Sequence, residues 1–251
     1  MRDEGQGRPF VWGHGLLFSM DQDDRAGVLI PQHIEGIRLV RYDARGHGCS
    51  AATRKSDDYR WSSLAEDMLA VLDATGAPSS VLGGASMGCA TSLHAAVMAP
   101  ERVEALVLVI PPTAWGGRRV QAAMYRAGAR VVAVGGMGPF VTMGRAAPAP
   151  RILSGELAPV RDVALEAMEH LDRTVVPHIL RGAASSDMPA KDALATLDIP
   201  TLVLAWEGDP GHPLATAEEL LRLLPQAELH IATEPSDVRQ WPSLITDFVR
   251  R

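Results

Sequence analysis

The chain has 251 residues, 47% of them hydrophobic, which is enough apolar material for one sizeable core and fits a single α/β domain with an insertion. A formal charge of −6 leaves no basic surplus to neutralise phosphates, so it argues against nucleic acid and anionic membranes and for a small, neutral or weakly charged molecule as partner. The two cysteines, Cys49 and Cys89, need no disulfide and fit a reducing, cytoplasmic setting, as does a charged start, Met1 to Gly5, with no apolar leader behind it.

In chain order, short apolar runs alternate with helical patterns, the signature of βαβ units and a parallel sheet covered on both faces. Strands are predicted over residues 10–12, 37–42, 80–83, 105–110 and 201–205, with a sixth over 228–232. Residues 59–74 carry Leu64, Met68, Val71 and Leu72 at helical spacing, and residues 215–224 carry Leu220, Leu221 and Leu224, so both predict amphipathic crossover helices. Between Trp115 and Ile199 the rhythm breaks, with no convincing strand and helical stretches over 120–134, 160–175 and 177–182, separated by glycines and by a linker at Pro148 and Pro150. This predicts a core of residues 1–115 and 199–251 and a helical cap over 116–198. The apolar tract 127–144 contains Arg130, several glycines and a proline, so it suits a lid better than a membrane span.

The segment Val81-Leu82-Gly83-Gly84-Ala85-Ser86-Met87-Gly88-Cys89-Ala90 sets an apolar strand, a tight turn and a small-residue helix in immediate succession. That is the context in which a G-x-S-x-G turn presents a nucleophilic serine. Gly84 and Gly88 fit because helix and strand backbones approach so closely there that a Cβ would collide. An acyl-transfer nucleophile also needs donors for the developing oxyanion. The Met87 N–H at the helix start and the Leu16 N–H, after Trp12-Gly13-His14-Gly15, are the candidates, and one such donor contributes about 3 kcal/mol to a transition state.

With Gly13-His14-Gly15, the loop Tyr42-Asp43-Ala44-Arg45-Gly46-His47-Gly48-Cys49-Ser50 and the Ser86 turn, the chain resembles the α/β-hydrolase superfamily over its whole length and in the right order. The resemblance implies a mostly parallel sheet flanked by helices; the opening strand pair that the family usually has is expected to be missing, because the chain begins almost at the strand preceding His14. The resemblance makes Asp43, Arg45 and His47 scaffold, and His14 reads as a turn residue. It also implies an acid after the next-to-last strand, where Asp209 stands, and a histidine in the loop after the last strand. That loop, residues 232–241, contains none.

A serine without a base is a weak nucleophile at neutral pH, so the missing histidine divides the readings. In one, the base is His212: Pro210 and Gly211 suit the centre of a type II turn that would hold Asp209 and His212 together near Ser86. A variant takes Asp237, in the vacant loop, as the orienting acid, and a cap histidine such as His178 is an alternative base; His94, His170 and His230 read as structural. In the other, hydrolysis is lost and the fold serves as an inactive or receptor-like module binding a small apolar ligand. A third option keeps Ser86 and the oxyanion donors but runs carbon–carbon cleavage or perhydrolysis.

The leading expectation is a serine hydrolase acting on a small ester, thioester or lactone, with catalytic Ser86, Asp209 and His212, oxyanion donors Leu16 and Met87, and no cofactor or metal. The apolar inventory Trp115, Met124, Tyr125, Met137, Phe140 and Met143 favours an apolar acyl or ring group under the cap. The final helix, from Trp241, either closes the sheet or offers a homodimer face.

Overall fold

The computed structural model describes residues 1–27, 29–30, 32 and 34–251. It opens with β1 (Arg2–Glu4), β2 (Arg8–Gly13), the short helix α1 (Met20–Ala26) and β3 (Ile37–Tyr42), followed by α2 (Trp61–Ala74), β4 (Ser80–Ala85), α3 (Met87–Met98) and β5 (Val103–Val109). Five helices come next: α4 (Arg118–Gly135), α5 (Met137–Ala146), α6 (Ala158–Glu169), α7 (Val176–Ala184) and α8 (Lys191–Ala195). The chain then returns to the sheet through β6 (Thr201–Trp206), α9 (Leu214–Leu223), β7 (Ala227–Ala232), α10 (Pro235–Val238) and α11 (Trp241–Val249).

The seven strands form one sheet in the order β1-β3-β2-β4-β5-β6-β7, parallel throughout except for the antiparallel pairing of β1 with β3. Successive side chains of a strand point to opposite faces, and here both faces are buried. Val11, Leu82, Leu106, Leu108 and Val203 meet α2, α3 and α9, while Phe10, Val81, Val107, Val109 and Leu204 meet α11 through Trp241, Ile245 and Phe248. The near-continuous apolar runs that predicted strands therefore reflect burial on two sides.

One local expectation differs from the structure. The opening strand pair is expected to be missing, yet one short strand, β1, pairs with β3 at this edge. Its Arg-Asp-Glu sequence has no apolar pattern; Asp3 accepts two hydrogen bonds from Arg38, at 2.7 and 2.6 Å, and Glu4 accepts one from Arg41 at 3.1 Å. The tract 127–144 spans parts of two helices, because Gly136 turns the chain at φ 76° between α4 and α5. Pro139 then falls within the first turn of α5, where a backbone N–H has no helical acceptor to lose.

Helix α8 packs beside the sheet against α3 and α9, whereas helices α4 to α7 gather at the end of the sheet at which the strands finish, where their residues line one cavity with Ser86. A buried arginine anchors them. Arg118 donates to the Ser186 carbonyl at 3.0 Å, the Ala183 carbonyl at 2.6 Å and the Thr113 hydroxyl at 3.1 Å, and its guanidinium lies 4.1 Å from the centroid of the Trp61 ring. This ties α4 to the end of α7 and to α2. Leu17, Ala129, Val132, Ile179 and Leu180 form a separate small core beneath.

Candidate active site

The site begins with backbone geometry. Between β4 and α3, Ser86 adopts φ 52° and ψ −106°, a conformation that L-residues rarely hold, and its N–H donates to the Val109 carbonyl at 2.9 Å. The strain is sustained by a three-way approach of glycines. A Cβ on Gly88 would lie 2.0 Å from the Gly13 carbonyl oxygen, and one on Gly84 would lie 2.4 Å from the same atom. That approach of β2 to the turn carries the following loop, Gly15 to Leu17, to the side of Ser86. Leu17 is itself in the left-handed region, at φ 62°.

Met87 is the first residue of α3, so its N–H has no intrahelical acceptor and stands at the positive end of the helix. Leu16 lines the same cavity as Ser86.

At the end of β6, Asp209 and His212 face Ser86. His212 Nε2 is 2.8 Å from Ser86 Oγ, and His212 Nδ1 is 2.7 Å from Asp209 Oδ2. The two residues share a turn in which the His212 N–H donates to the Asp209 carbonyl at 3.1 Å. The turn is not type II, since Gly211 is outside the left-handed region. Its N–H instead donates to Asp209 Oδ1 at 2.8 Å, a side-chain turn that competes with the type II peptide orientation.

Asp209 Oδ2 also accepts the Trp206 indole N–H at 3.1 Å. Burial alone would raise the Asp209 pKa, but the donors His212, Gly211 and Trp206 hold the carboxyl down at about 2, so it is a carboxylate throughout the neutral range. Trp206 stacks on the buried Trp241 at 5.6 Å between centroids, which fixes the indole that fixes the acid. The sequence reading gives Trp206 no role. The available signal was an N–H donor closing an apolar strand three residues ahead of the acid.

The other candidates lie elsewhere. His14 is buried; its Nδ1–H donates to the Gly15 carbonyl at 2.7 Å and its Nε2 accepts the Ala44 N–H at 2.9 Å, so it is a neutral strut between loops. Burial and the neighbouring His14 depress His47 to about 3, and its Nδ1 bonds the Arg45 carbonyl. Asp43 accepts the Met20 and Cys49 N–H groups, and Arg45 pairs with Asp67. His94 donates to the Asp187 carbonyl. His178 contacts the Ser56 hydroxyl at 3.3 Å and is not in the cavity wall. Asp237 Oδ2 accepts the N–H groups of Thr233 and Glu234 at 2.9 and 3.0 Å and caps α10, so the variant that uses it as orienting acid is corrected. Cys49 is exposed and Cys89 buried, both as free thiols.

Ser86, Asp209 and His212 open into a cavity of about 450 Å³. Met124, Tyr125, Phe140 and Met143 of the apolar inventory line it; Trp115 and Met137 do not, because the Trp115 indole donates to the Pro189 carbonyl and Met137 packs on the small core beneath. Among the described residues, no group of three His, Cys, Asp or Glu side chains is placed to hold a metal ion.

Comparison with known proteins bears on the fold. A family model described as the alpha/beta hydrolase fold matches residues 8–129. A non-heme haloperoxidase of Rhodococcus erythropolis is 27% identical over 92% of this chain and 85% of its own. Among solved structures, a thermophilic esterase from Thermogutta terrifontis superposes with a TM-score of 0.79 at 21% identity, covering 99% of this chain and 90% of that one. The enol-lactonase from Burkholderia xenovorans LB400 gives 0.78 at 20% identity, over 100% and 95%. The chain therefore has the α/β-hydrolase fold.

Proposed function

We propose that the protein is a cytoplasmic serine hydrolase that cleaves a small ester, thioester or lactone through an acyl-enzyme on Ser86. The observation that carries the reading is the unbroken contact from Ser86 Oγ to His212 Nε2, 2.8 Å, and from His212 Nδ1 to Asp209, 2.7 Å. In this scheme His212 takes the proton from Ser86 as its oxygen attacks the carbonyl, while Asp209 holds the imidazole with Nδ1 protonated and Nε2 free to accept. The Leu16 and Met87 N–H groups receive the oxyanion. His212 then returns the proton to the leaving group, and a water molecule, deprotonated by His212, releases the acyl group.

Residues 116–198 act as a cap that shapes the substrate pocket. Met124, Phe140 and Met143 favour an apolar acyl or ring group, a preference in keeping with the esterase and lactonase names among the similar proteins. The inactive, receptor-like reading loses its main support once a base stands within hydrogen-bond reach of the serine.

Turnover of short-chain aryl esters tests the proposal. The wild-type protein is expected to hydrolyse them, and Ser86→Ala to lower kcat/KM by at least about 10⁴-fold while melting normally. A folded wild type that hydrolyses no aryl ester, or a Ser86→Ala protein as active as wild type, would contradict it.

A further inference from the structure

Helix α4 has two apolar faces. Ala122, Ala129 and Val132 are buried beneath it. The other face runs Val120, Met124, Ala127, Val131 and Val134, in alternating steps of four and three residues that align the side chains in one stripe about 21 Å long. Val120 is 72% exposed, Met124 61% and Val134 92%, with Ala127 exposed and Val131 half-buried, so most of this face is left uncovered by the described chain. Isolated apolar residues on a surface are ordinary, whereas a continuous stripe marks a contact.

The charge beside the stripe is all of one sign. Arg119, Arg126 and Arg130 are exposed along a single flank of it, and residues 105–155 hold six arginines and no Asp or Glu. The net charge of −6 hides this separation. Among the described residues, Arg119 and Arg130 form no ion pair. A second copy of the chain is a poor occupant, because α4 has no carboxylate to answer the arginines of a partner α4. Met124, together with the half-exposed Met143 on α5, also forms part of the cavity wall above Ser86, so the stripe runs into the cavity mouth.

We propose that α4 docks on an anionic lipid surface, lying in the interface plane with the stripe in the acyl boundary and the arginines at headgroup phosphates. Attachment is peripheral, since among the described residues no helix is long and apolar enough to cross a membrane. Docking brings the cavity mouth to the bilayer, where an apolar ester would enter directly. That last clause rests on the hydrolase reading; the docking does not.

Co-sedimentation separates the two. Wild-type protein is incubated at low salt with vesicles of phosphatidylcholine alone or mixed with phosphatidylglycerol, beside the double variants Arg119→Glu with Arg130→Glu and Val120→Ser with Val134→Ser. Wild type is expected to bind the anionic vesicles at least about tenfold more tightly than the neutral ones, and to be released by salt. Each double variant should bind at least about tenfold more weakly with an unchanged melting temperature, and Val134→Ser alone repeats the test at a fully solvated site. Ser86→Ala should bind like wild type, which keeps this result apart from any failure of turnover. Equal wild-type binding to both vesicle types, unaffected binding by the double variants, or a solution dimer that Val120→Ser with Val134→Ser dissociates would each overturn the proposal.

Discussion

His212→Ala is expected to lower kcat by about 10⁵- to 10⁶-fold, close to the loss from removing the nucleophile itself, because serine and base act as a unit. The geometry makes the effect specific. His212 Nε2 is the imidazole nitrogen at 2.8 Å from Ser86 Oγ, whereas the side chains of His14 and His94 are engaged with backbone groups and His178 lies outside the cavity wall. The substitution should leave folding intact, since Asp209 keeps its bonds from Gly211 and Trp206. KM should change little, because in the proposed mechanism the imidazole moves protons and it is one small part of an apolar wall. Steady-state kinetics on an aryl ester, with His178→Ala alongside, checks this: full activity in His178→Ala and near-total loss in His212→Ala are expected. Comparable activity in His212→Ala and wild type would mean that another group takes the proton.

Gly88→Ala is expected to cost about 3 kcal/mol or more of stability, the upper end of the range for overpacking. The new Cβ would sit 2.0 Å from the Gly13 carbonyl oxygen and 2.7 Å from the Gly13 carbonyl carbon. Both atoms belong to the backbone of β2, a strand paired on either side, so no side chain can rotate out of the way. Helix α3 must tilt away from β2, and the Leu16 loop moves with it. For a chain of this size the change corresponds to a fall of roughly 6–12 °C in melting temperature. Gly116→Ala, where a Cβ would meet nothing within 4 Å, should melt as wild type does. Equal melting of Gly88→Ala and wild type would show that the strand and helix are less closely appressed than described. Activity in Gly88→Ala should fall further than stability alone requires, because the elbow that aims Ser86 depends on the same contact.

The parts of this molecule legible in its sequence are those set by local patterning. The buried strands β2 to β6 announce themselves as apolar runs, and the Ser86 turn by glycines that no other residue could replace. Asp209 and His212 were legible as a pair because three residues and one turn separate them, so their proximity needs no knowledge of the fold. Their exact turn was not, since the Gly211 N–H is taken by the Asp209 side chain.

What the pattern hides is non-local. Strand β1 is polar and is held at its edge by Arg38 and Arg41, without the alternation that identifies a strand. Helices α1 and α5 are short, and the two glycines and the proline in α5 suggest a loop until Gly136 is known to turn the chain just before it. Trp206 looks like one more apolar residue until its indole is seen against Asp209 and Trp241. The stripe on α4 is visible as periodicity, yet only packing reveals which of its two apolar faces is left uncovered.

The central claim is that Ser86 is a nucleophile activated by His212. Its most direct test is the intact mass of the protein after exposure to a fluorophosphonate, with peptide mapping of any adduct. One phosphonyl group per chain, located on Ser86, absent from Ser86→Ala and acquired far more slowly by His212→Ala, is the predicted result. A folded wild type that gains no mass, or carries the group on another residue, would contradict the account.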